Sequence, residues 1–432
     1  MSIQRPRGTF DLLPGTIEGW QRLERIVRQH AERANFGEIR TPLFEHTELF
    51  ERGVGDTTDI VEKEMYTFPD KGNRSMTLRP EGTAGVTRAF VEEKLYGSPG
   101  VTKLYYMGPM FRYEKPQRGR WRQFHQYGCE ALGTENPAID AEIIQLNLEI
   151  LRDLGLQALT VELNSVGCPV CRPRHKTVMI EKLTPVKDEL CSDCQKRLDR
   201  NPLRIFDCKV ESCQAAIAAQ NVPKMLDLLC GDCETHFASV KTYLDVLAVP
   251  YLIAPDLVRG LDYYTRTAWE ITSPGYSTIS GGGRYNSLVA EIGGPETPGI
   301  GFAGGMERAL LVLAEQTGTD KASGRTVDAF VAVLSPEAEQ TAMRLLAQLR
   351  AAGYVADRDY QNRSVKAQFK MADRMQAKFV VALGEEELAG GYASVKNLAA
   401  KAQQEVPLTN LIEWLKNEWL KNQATESGVA SE

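Results

Sequence analysis

The stretch Leu104–Gly133, LYYMGPMFRYEKPQRGRWRQFHQYGCEALG, decides the fold. Two extended runs flank the polar loop KPQRGR, which predicts a hairpin whose period-two alternation sorts the side chains by face. On the first strand Arg112 and Glu114 share a face, with Phe111 and Tyr113 on the other. On the second, Arg122, Phe124, Gln126, Gly128 and Glu130 share a face, opposed by Trp121, Tyr127 and Cys129. A face carrying Arg, Glu, Phe and Gln suits a hydrophobic core badly, because every buried polar group needs a partner. A bound polar ligand would supply those partners; a solvated hairpin face is the other reading.

Two segments further along favour the ligand. LVRGLDYYTRTAWEI sets Arg259, Asp262, Tyr263 and Tyr264 just ahead of a strand, and ISGGGRYNSLV places Arg284 and Tyr285 after three consecutive glycines. Glycines in a row let a ligand or another strand approach the backbone closely. GIGFAGGMERALLVL then reads as a glycine-rich strand passing into a helix, with Arg308 in the first turn. A cation there opposes the helix dipole, so Arg308 is expected to serve a ligand. The G-x-G-x-x-G match at Gly299, Gly301 and Gly304 carries little weight, since no leading βαβ unit accompanies it.

The bulk properties bound the rest. A chain of 432 residues, 43% hydrophobic, is long enough for two or three domains. Its net charge of −6 provides no global positive field, so contact with nucleic acid has to be local. MSIQRPRGTFDLLPG at the start has no apolar core of a signal peptide, and no later run is apolar enough to span a membrane, which predicts a soluble, cytoplasmic protein. Thr16 to Phe36 carries apolar residues at steps of three and four, the pattern of an amphipathic helix, and Pro42 beyond it suits a sheet edge or a break in a strand. A second helix is expected from Asp140 to Leu154, after the turn at Asn136-Pro137.

Eight of the nine cysteines fall between Cys168 and Cys233, which in a reducing compartment favours metal over disulfides. Cys168-x2-Cys171 and Cys191-x2-Cys194, separated by nineteen residues, fit a four-cysteine zinc site, and Cys208-x4-Cys213 with Cys230-x2-Cys233 offers a second quartet. One or two Zn²⁺ ions are expected, in sequential or crossed pairing, with His175 and His236 as conceivable substitute ligands. Reduced free thiols in an insertion that folds without metal are the alternative.

After the polar stretch TGTDKASGR, which reads as a linker, DAFVAVLS, EAEQTAMRLLAQLRAAG and KFVVALG give strand, helix and strand, hence a small α/β domain. Within it Ser364 is placed to cap a helix on which Lys366, Lys370 and Arg374 form one basic stripe. The end, NQATESGVASE, is polar.

TLRPEGTAG, GPMFRYEKPQRGRWRQFHQYGCEALG, VRGLDYYTRTAWE, SGGGRYNSL and GFAGGMER together resemble the motif series of the class II aminoacyl-tRNA synthetases, and specifically the histidyl-tRNA synthetase family. RGLDYY is the most specific element, and the opening RPRGTFDLLPG is similar too. Tyr113 and Trp121 stand where that family commonly has other residues, and the cysteine-rich insertion is unusual for it. The resemblance implies an α+β fold: a catalytic domain over 1–325 built on an antiparallel sheet flanked by helices, an insertion at about 168–245, an α/β anticodon-binding domain over 326–421 and a flexible tail from 422. It implies ATP-dependent activation of L-histidine and its transfer to tRNA(His), by a homodimer joined through Thr16 to Pro42, with Mg²⁺ accompanying ATP. Arg112 and Arg259 would be catalytic, on opposite sides of the α-phosphate. Glu114, Arg120, Phe124 and Arg308 would join them in binding ATP, the last two sandwiching adenine. Glu130 and Tyr264 would read the two imidazole nitrogens, Glu81, Thr83 and Gln126 would hold the α-amino group, and Tyr263 and Tyr285 would complete the pocket. Gln117 and Arg118 would meet the tRNA acceptor end, and the basic stripe of the C-terminal domain the anticodon stem-loop. Two rival readings are a catalytically silent relative that regulates ATP phosphoribosyltransferase and a zinc-stabilised nucleic-acid-binding protein. The first is expected to lack RGLDYY and the C-terminal domain; the second leaves the arginine and glutamate set unexplained.

Overall fold

Trp20, Leu23, Val27 and Ala31 bury one side of helix Ile17–Arg33 against the largest core of the protein, as the three-four spacing requires. The structure, a computed structural model, describes residues 3–55, 58, 60–200, 202–318 and 326–426. Two compact units result, one ending with helix Met306–Thr317 and the other beginning with the strand at Ala329. Most of the expected linker, 319–325, lies outside the described residues.

The first unit contains β1 (Gly37–Glu38), β2 (Phe44–His46), β3 (Tyr66–Pro69), β4 (Ser75–Leu78), β5 (Thr102–Phe111), β6 (Gln123–Leu132), β7 (Thr160–Ser165), β8 (Tyr251–Ile253), β9 (Thr265–Ser273), β10 (Tyr276–Arg284) and β11 (Gly299–Gly305). Eight of them form one sheet in the order β1-β5-β6-β11-β10-β9-β7-β8, and β2-β4-β3 form a small antiparallel one. The main sheet is mixed: its centre is antiparallel, as expected, while β1 and β8 are parallel edge strands. Pro42 falls in the gap between β1 and β2.

Alternation assigns the two faces. Tyr127, Cys129, Ile300, Phe302, Trp269, Ile271 and Ile279 face the core, which helices Ile17–Arg33, Pro137–Leu154 and Gly231–Val246 cover. The helix expected from Asp140 begins earlier, at Pro137, because the Asn136 side chain caps it by accepting from the Ala138 N–H at 3.0 Å. Arg284, read from sequence beside ligand-approach glycines, is instead wholly buried: its guanidinium forks onto Asp140 at 2.6–3.0 Å and donates to the carbonyls of Thr134 and Asn136.

In the second unit the sheet order is β13-β12-β14-β15-β16, with β12 (Ala329–Val333), β13 (Ala356–Arg358), β14 (Phe379–Leu383), β15 (Tyr392–Asn397) and β16 (Ala402–Pro407). Ala329 and Val331 face helices Glu339–Ala351 and Leu411–Glu426, while Phe330 and Ala332 face helix Val365–Arg374. Ser364 stands at the N-cap of that last helix but makes no side-chain capping bond, so its hydroxyl does not have the expected role. Lys366, Lys370 and Arg374 are all exposed, as a stripe must be. Helix Leu411–Glu426 runs into the expected tail, of which 427–432 lie outside the described residues.

Removing one partner of a fully buried, hydrogen-bonded ion pair strands the other charge. Asp140→Ala is therefore expected to destabilise the first unit by about 3–5 kcal/mol in denaturant unfolding, and Asp140→Asn by less, since the amide still accepts.

Candidate active site

The register of the central strands brings small residues together on the face away from the core. Glu130 lies opposite Gly301, which lies opposite Gly283; Gly128, Ala303 and Gly281 form the next row, and Gln126 and Gly305 the next. Phe124, Gln126 and Glu130 on β6 rise along one side of this shallow floor and Glu270 on β9 along the other. The absent Cβ atoms are what the floor depends on. A Cβ at Gly281 would stand 2.6 Å from Arg259 Nη1, one at Gly283 would stand 2.6 Å from the Tyr264 ring, and one at Gly301 would fall inside the Glu130 carboxylate. The glycines thus admit side chains of this same site as well as a ligand.

A cavity of about 470 Å³ opens over the floor. Of the expected residues, Glu81, Thr83, Arg112, Glu114, Arg120, Phe124, Gln126, Arg259, Tyr263, Tyr264 and Arg308 line it. Arg259 pairs with Glu270 and lies 5.8 Å from the Tyr264 ring centroid. Burial opposes its charge, but the Glu270 carboxylate outweighs burial and leaves Arg259 firmly cationic. Arg112 is fixed by its Nε donating to the Pro80 carbonyl at 2.9 Å, and its guanidinium sits 5.2 Å from the Phe124 ring centroid. Arg308 donates to the carbonyls of Thr278, at 2.7 Å, and Gly119. Backbone acceptors therefore aim two cations without neutralising them.

At the other end, Glu81 accepts from the N–H groups of Thr83 (2.7 Å) and Ala84 (2.8 Å), so its carboxylate caps helix Thr83–Glu92. Gln126 Oε1 is buried without a hydrogen-bond partner and marks a place for a donor. The Tyr263 ring packs 4.7 Å from Tyr264 and 5.7 Å from Tyr285.

Glu130 and Tyr285 sit one layer behind the cavity wall. Glu130 accepts from Thr83 Oγ1 at 2.7 Å and from Tyr285 Oη at 2.5 Å. Burial pushes its carboxyl up to about 8, against the lowering pull of those two hydrogen bonds, and Glu81 adds to the rise. Gln117 and Arg118 form the hairpin tip outside the cavity, where Gln117 bridges Arg120 and Arg118 pairs with Glu315. Two readings of the hairpin need correction. β5 ends at Phe111, so Arg112 and Glu114 belong to the extended segment beyond it. β6 starts only at Gln123, so the alternation does not reach back: Trp121 lines the cavity, while Arg122 turns away to stack 3.8 Å over the Tyr113 ring. Arg204, Glu270 and Thr278 also line the cavity and were not anticipated. Glu270 was legible only as the acidic residue of TAWEI; nothing in the sequence marks Arg204.

The eight clustered cysteines gather into two quartets, Cys168, Cys171, Cys230 and Cys233, and Cys191, Cys194, Cys208 and Cys213, with the four sulfurs of each within 4.8 Å of one another. This nests one pair of arms inside the other and discards the sequential set of Cys168, Cys171, Cys191 and Cys194. Separations of 3.6 Å for Cys168–Cys171, 3.8 Å for Cys168–Cys230 and 3.9 Å for Cys191–Cys208 are too long for disulfides. They match the edges of a tetrahedron with zinc–sulfur bonds of about 2.3 Å. Backbone N–H groups already point at these sulfurs: Val170 at Cys168, Cys230 at Cys171 and, at 2.9 Å, Cys191 at Cys213. Burial raises the Cys168 thiol, but N–H donors from Cys171 and Val170 bring it down to about 7, and the Cys194 N–H does the same for Cys191. His175 bonds the Pro223 carbonyl and His236 bonds Asp140; neither belongs to a quartet.

Comparison with known proteins gives the family. The family described as "Histidyl-tRNA synthetase" matches residues 8–169 and "Anticodon binding domain" matches 328–418. The histidine–tRNA ligase of Desulforamulus reducens is 54% identical over 419 residues, covering 96% of this chain and 99% of that one. That of Halothermothrix orenii is 50% identical over 416 residues, with 96% and 99% covered. The crystal structure of apo Staphylococcus aureus histidyl-tRNA synthetase superposes with a TM-score of 0.81 at 40% identity, covering 96% of this chain and all of that one. Identity above one half, sustained along nearly the whole of both chains and across both units, means that the chain belongs to the histidine–tRNA ligase family.

Proposed function

We propose that this protein activates L-histidine with ATP and transfers it to tRNA(His). The observation that carries the reading is the pair of cations Arg112 and Arg259 in one cavity with Glu81, Thr83 and Gln126, over a floor made of glycine and alanine. The first step joins two anions: a carboxylate oxygen of histidine attacks the α-phosphorus, and the bond to pyrophosphate breaks. Fixed cations on both sides of the α-phosphate stabilise the charge that develops there. Arg259, held by Glu270 above Gly281, and Arg112, held by the Pro80 carbonyl, fill those positions. Arg308 and Phe124 clasp the adenine, Glu114 its edge, and Arg120 the terminal phosphates, which bring Mg²⁺ with them.

The unpartnered Gln126 Oε1 receives the α-ammonium, beside Glu81 and Thr83. Glu130 and Tyr264 read the imidazole, with Tyr263 and Tyr285 packed around it. Accepting a ring N–H goes with loss of the Glu130 proton, after which each carboxylate oxygen keeps a second lone pair beside its bond to Thr83 or Tyr285. In the second step the terminal ribose hydroxyl of tRNA attacks the histidyl carbonyl and AMP leaves. Gln117 and Arg118 meet the acceptor end, Arg118 exchanging Glu315 for phosphate, and the stripe of Lys366, Lys370 and Arg374 meets the anticodon stem-loop.

The two cysteine quartets each hold one structural Zn²⁺, since four thiolates leave no open position for chemistry. We take the domains to run over 1–325, with the insertion at about 168–245, and 326–421. We also infer a cytoplasmic homodimer; among the described residues no helix is long and apolar enough to cross a membrane. The helix of the Thr16 to Pro42 region spends its apolar side on its own core, which shifts the expected contact to the exposed Leu43, Phe44 and Phe68 beside it.

ATP–pyrophosphate exchange with each amino acid in turn tests the activity. Exchange is expected with histidine alone, reduced ~10²–10³-fold in kcat by Arg259→Ala; exchange with another amino acid would discard the pocket assignment. The Glu130 carboxyl gives a second test through pH. Its raised value means that the folded chain holds the proton more tightly, so this stability is full below pH 4.5 and is lost as pH climbs through about 8. Glu130→Gln removes the titration, and its melting temperature without substrates is expected to gain on the wild type between pH 5 and about 8 and to level off above that. Parallel profiles would rule out Glu130 as a buried titrating group.

A further inference from the structure

Both arms of the quartet Cys168, Cys171, Cys230 and Cys233 lead into the amino-acid pocket. On the first arm, Cys171 opens helix Cys171–Leu183 and the next residue, Arg172, reaches out of the cluster. Its Nη1 donates to the backbone carbonyls of Asp262, at 3.1 Å, and Tyr264, at 3.3 Å. These carbonyls flank Tyr263 and set the backbone course of the segment that presents both tyrosines to the cavity.

On the second arm, Cys233 lies in the first turn of helix Gly231–Val246, and His236 follows one turn on. His236 Nε2 meets Asp140 Oδ1 at 3.1 Å and Thr267 Oγ1 at 3.3 Å. Asp140 anchors Arg284, and the residue after Arg284 is Tyr285, whose hydroxyl donates to Glu130 at 2.5 Å. The cluster is therefore braced against Tyr263 and Tyr264 on one side and Tyr285 on the other. The quartet Cys191, Cys194, Cys208 and Cys213 differs: its N–H···S contacts join segments of the insertion to each other.

We propose that the metal at Cys168, Cys171, Cys230 and Cys233 positions the histidine pocket, acting through Arg172 on the Asp262–Tyr264 backbone and through His236 and Asp140 on Tyr285. This rests on the reading of that quartet as a zinc site. The ion does no chemistry; it fixes the distance between the two arms, and Arg172 is a positioning residue that transmits the constraint. A pocket that must meet both imidazole nitrogens tolerates little displacement, whereas of the groups assigned to ATP only Arg259 belongs to the segment that Arg172 holds, and Glu270 fixes it independently.

The test starts from zinc content of the purified full-length protein, measured by inductively coupled plasma mass spectrometry. Two Zn²⁺ per chain are expected, and a chain without zinc would overturn the metal reading itself. Arg172→Gln is then compared with wild type. It is expected to keep both ions, to weaken histidine binding in calorimetry and raise the histidine KM in exchange by about tenfold, and to leave the ATP KM within about twofold. Arg172→Lys, which still donates, recovers most of the loss. Cys171→Ser is expected to lose one ion and weaken histidine binding similarly; should it not fold, Arg172→Gln decides alone. Zinc-replete Arg172→Gln with unchanged histidine affinity, or with histidine and ATP weakened together, would overturn the proposal while leaving the zinc sites standing.

Discussion

The close approach of β10 and β11 without side chains between them and the cavity is the constraint on which the site depends. Gly281, Gly283 and Gly301 form the part of the floor that no larger residue could form, because Arg259, Tyr264 and Glu130 already occupy the space that Cβ atoms would need. Glycines cost a strand conformational entropy and give it nothing to pack. The sheet compensates on its other face, where Tyr127, Trp269, Ile271, Ile279, Ile300 and Phe302 are buried in the main core. Rigid antiparallel strands with one heavy face and one bare face thus provide a flat, low-dielectric bed on which charged groups can be aimed by backbone carbonyls.

The charges on that bed are not arranged as simple ion pairs. Arg259 has its carboxylate, Glu270, which holds it charged against the opposing effect of burial. Arg112 and Arg308 are held chiefly by carbonyl oxygens, with the Glu114 carboxylate no nearer to Arg112 than 3.9 Å. The other end of the cavity works by the opposite device. Glu81, Thr83, Glu130 and Tyr285 form a continuous hydrogen-bonded line, while Gln126 Oε1, on the cavity side, has no hydrogen-bond partner. In such an interior a side chain that cannot complete the pattern would bind at the cost of the polar groups it leaves unpaired.

How much of this was legible follows from the range over which each signal acts. Alternation within β6 put Phe124, Gln126 and Glu130 together from sequence alone, because a strand's faces are fixed locally. The same rule failed at Trp121 and Arg122, where the strand has not begun and a stacking contact with Tyr113 sets the direction. Arg284 looked like a ligand group because its partner, Asp140, is 144 positions away and nothing local announces the pairing. Nor could spacing decide the cysteine pairing: two-residue separations make each arm recognisable, but which arms meet depends on how the insertion folds back. Glu130 could be named as a site residue, yet its place behind Thr83 is a property of packing that no motif encodes.

The nested pairing has a physical logic of its own. Cys168 and Cys230 stand 62 positions apart and close the neck of the insertion, whereas Cys191 and Cys213, 22 positions apart, lie inside it. Closing a longer loop removes more disorder from the unfolded chain, although only logarithmically, so the two closures differ by less than about 1 kcal/mol in chain entropy. Entropy is therefore a poor reason to have two sites. The better reason is placement. A clip inside the insertion would order a segment whose helices are short and whose buried residues include five of the cysteines themselves. A clip at the neck lies where the chain leaves β7 and returns towards β8, so it constrains the catalytic sheet as much as the insertion. Small subdomains of this kind gain most of their stability on binding metal, and with metal bound at the neck as proposed, that gain would fall beside β7 and β8, at the edge of the main sheet.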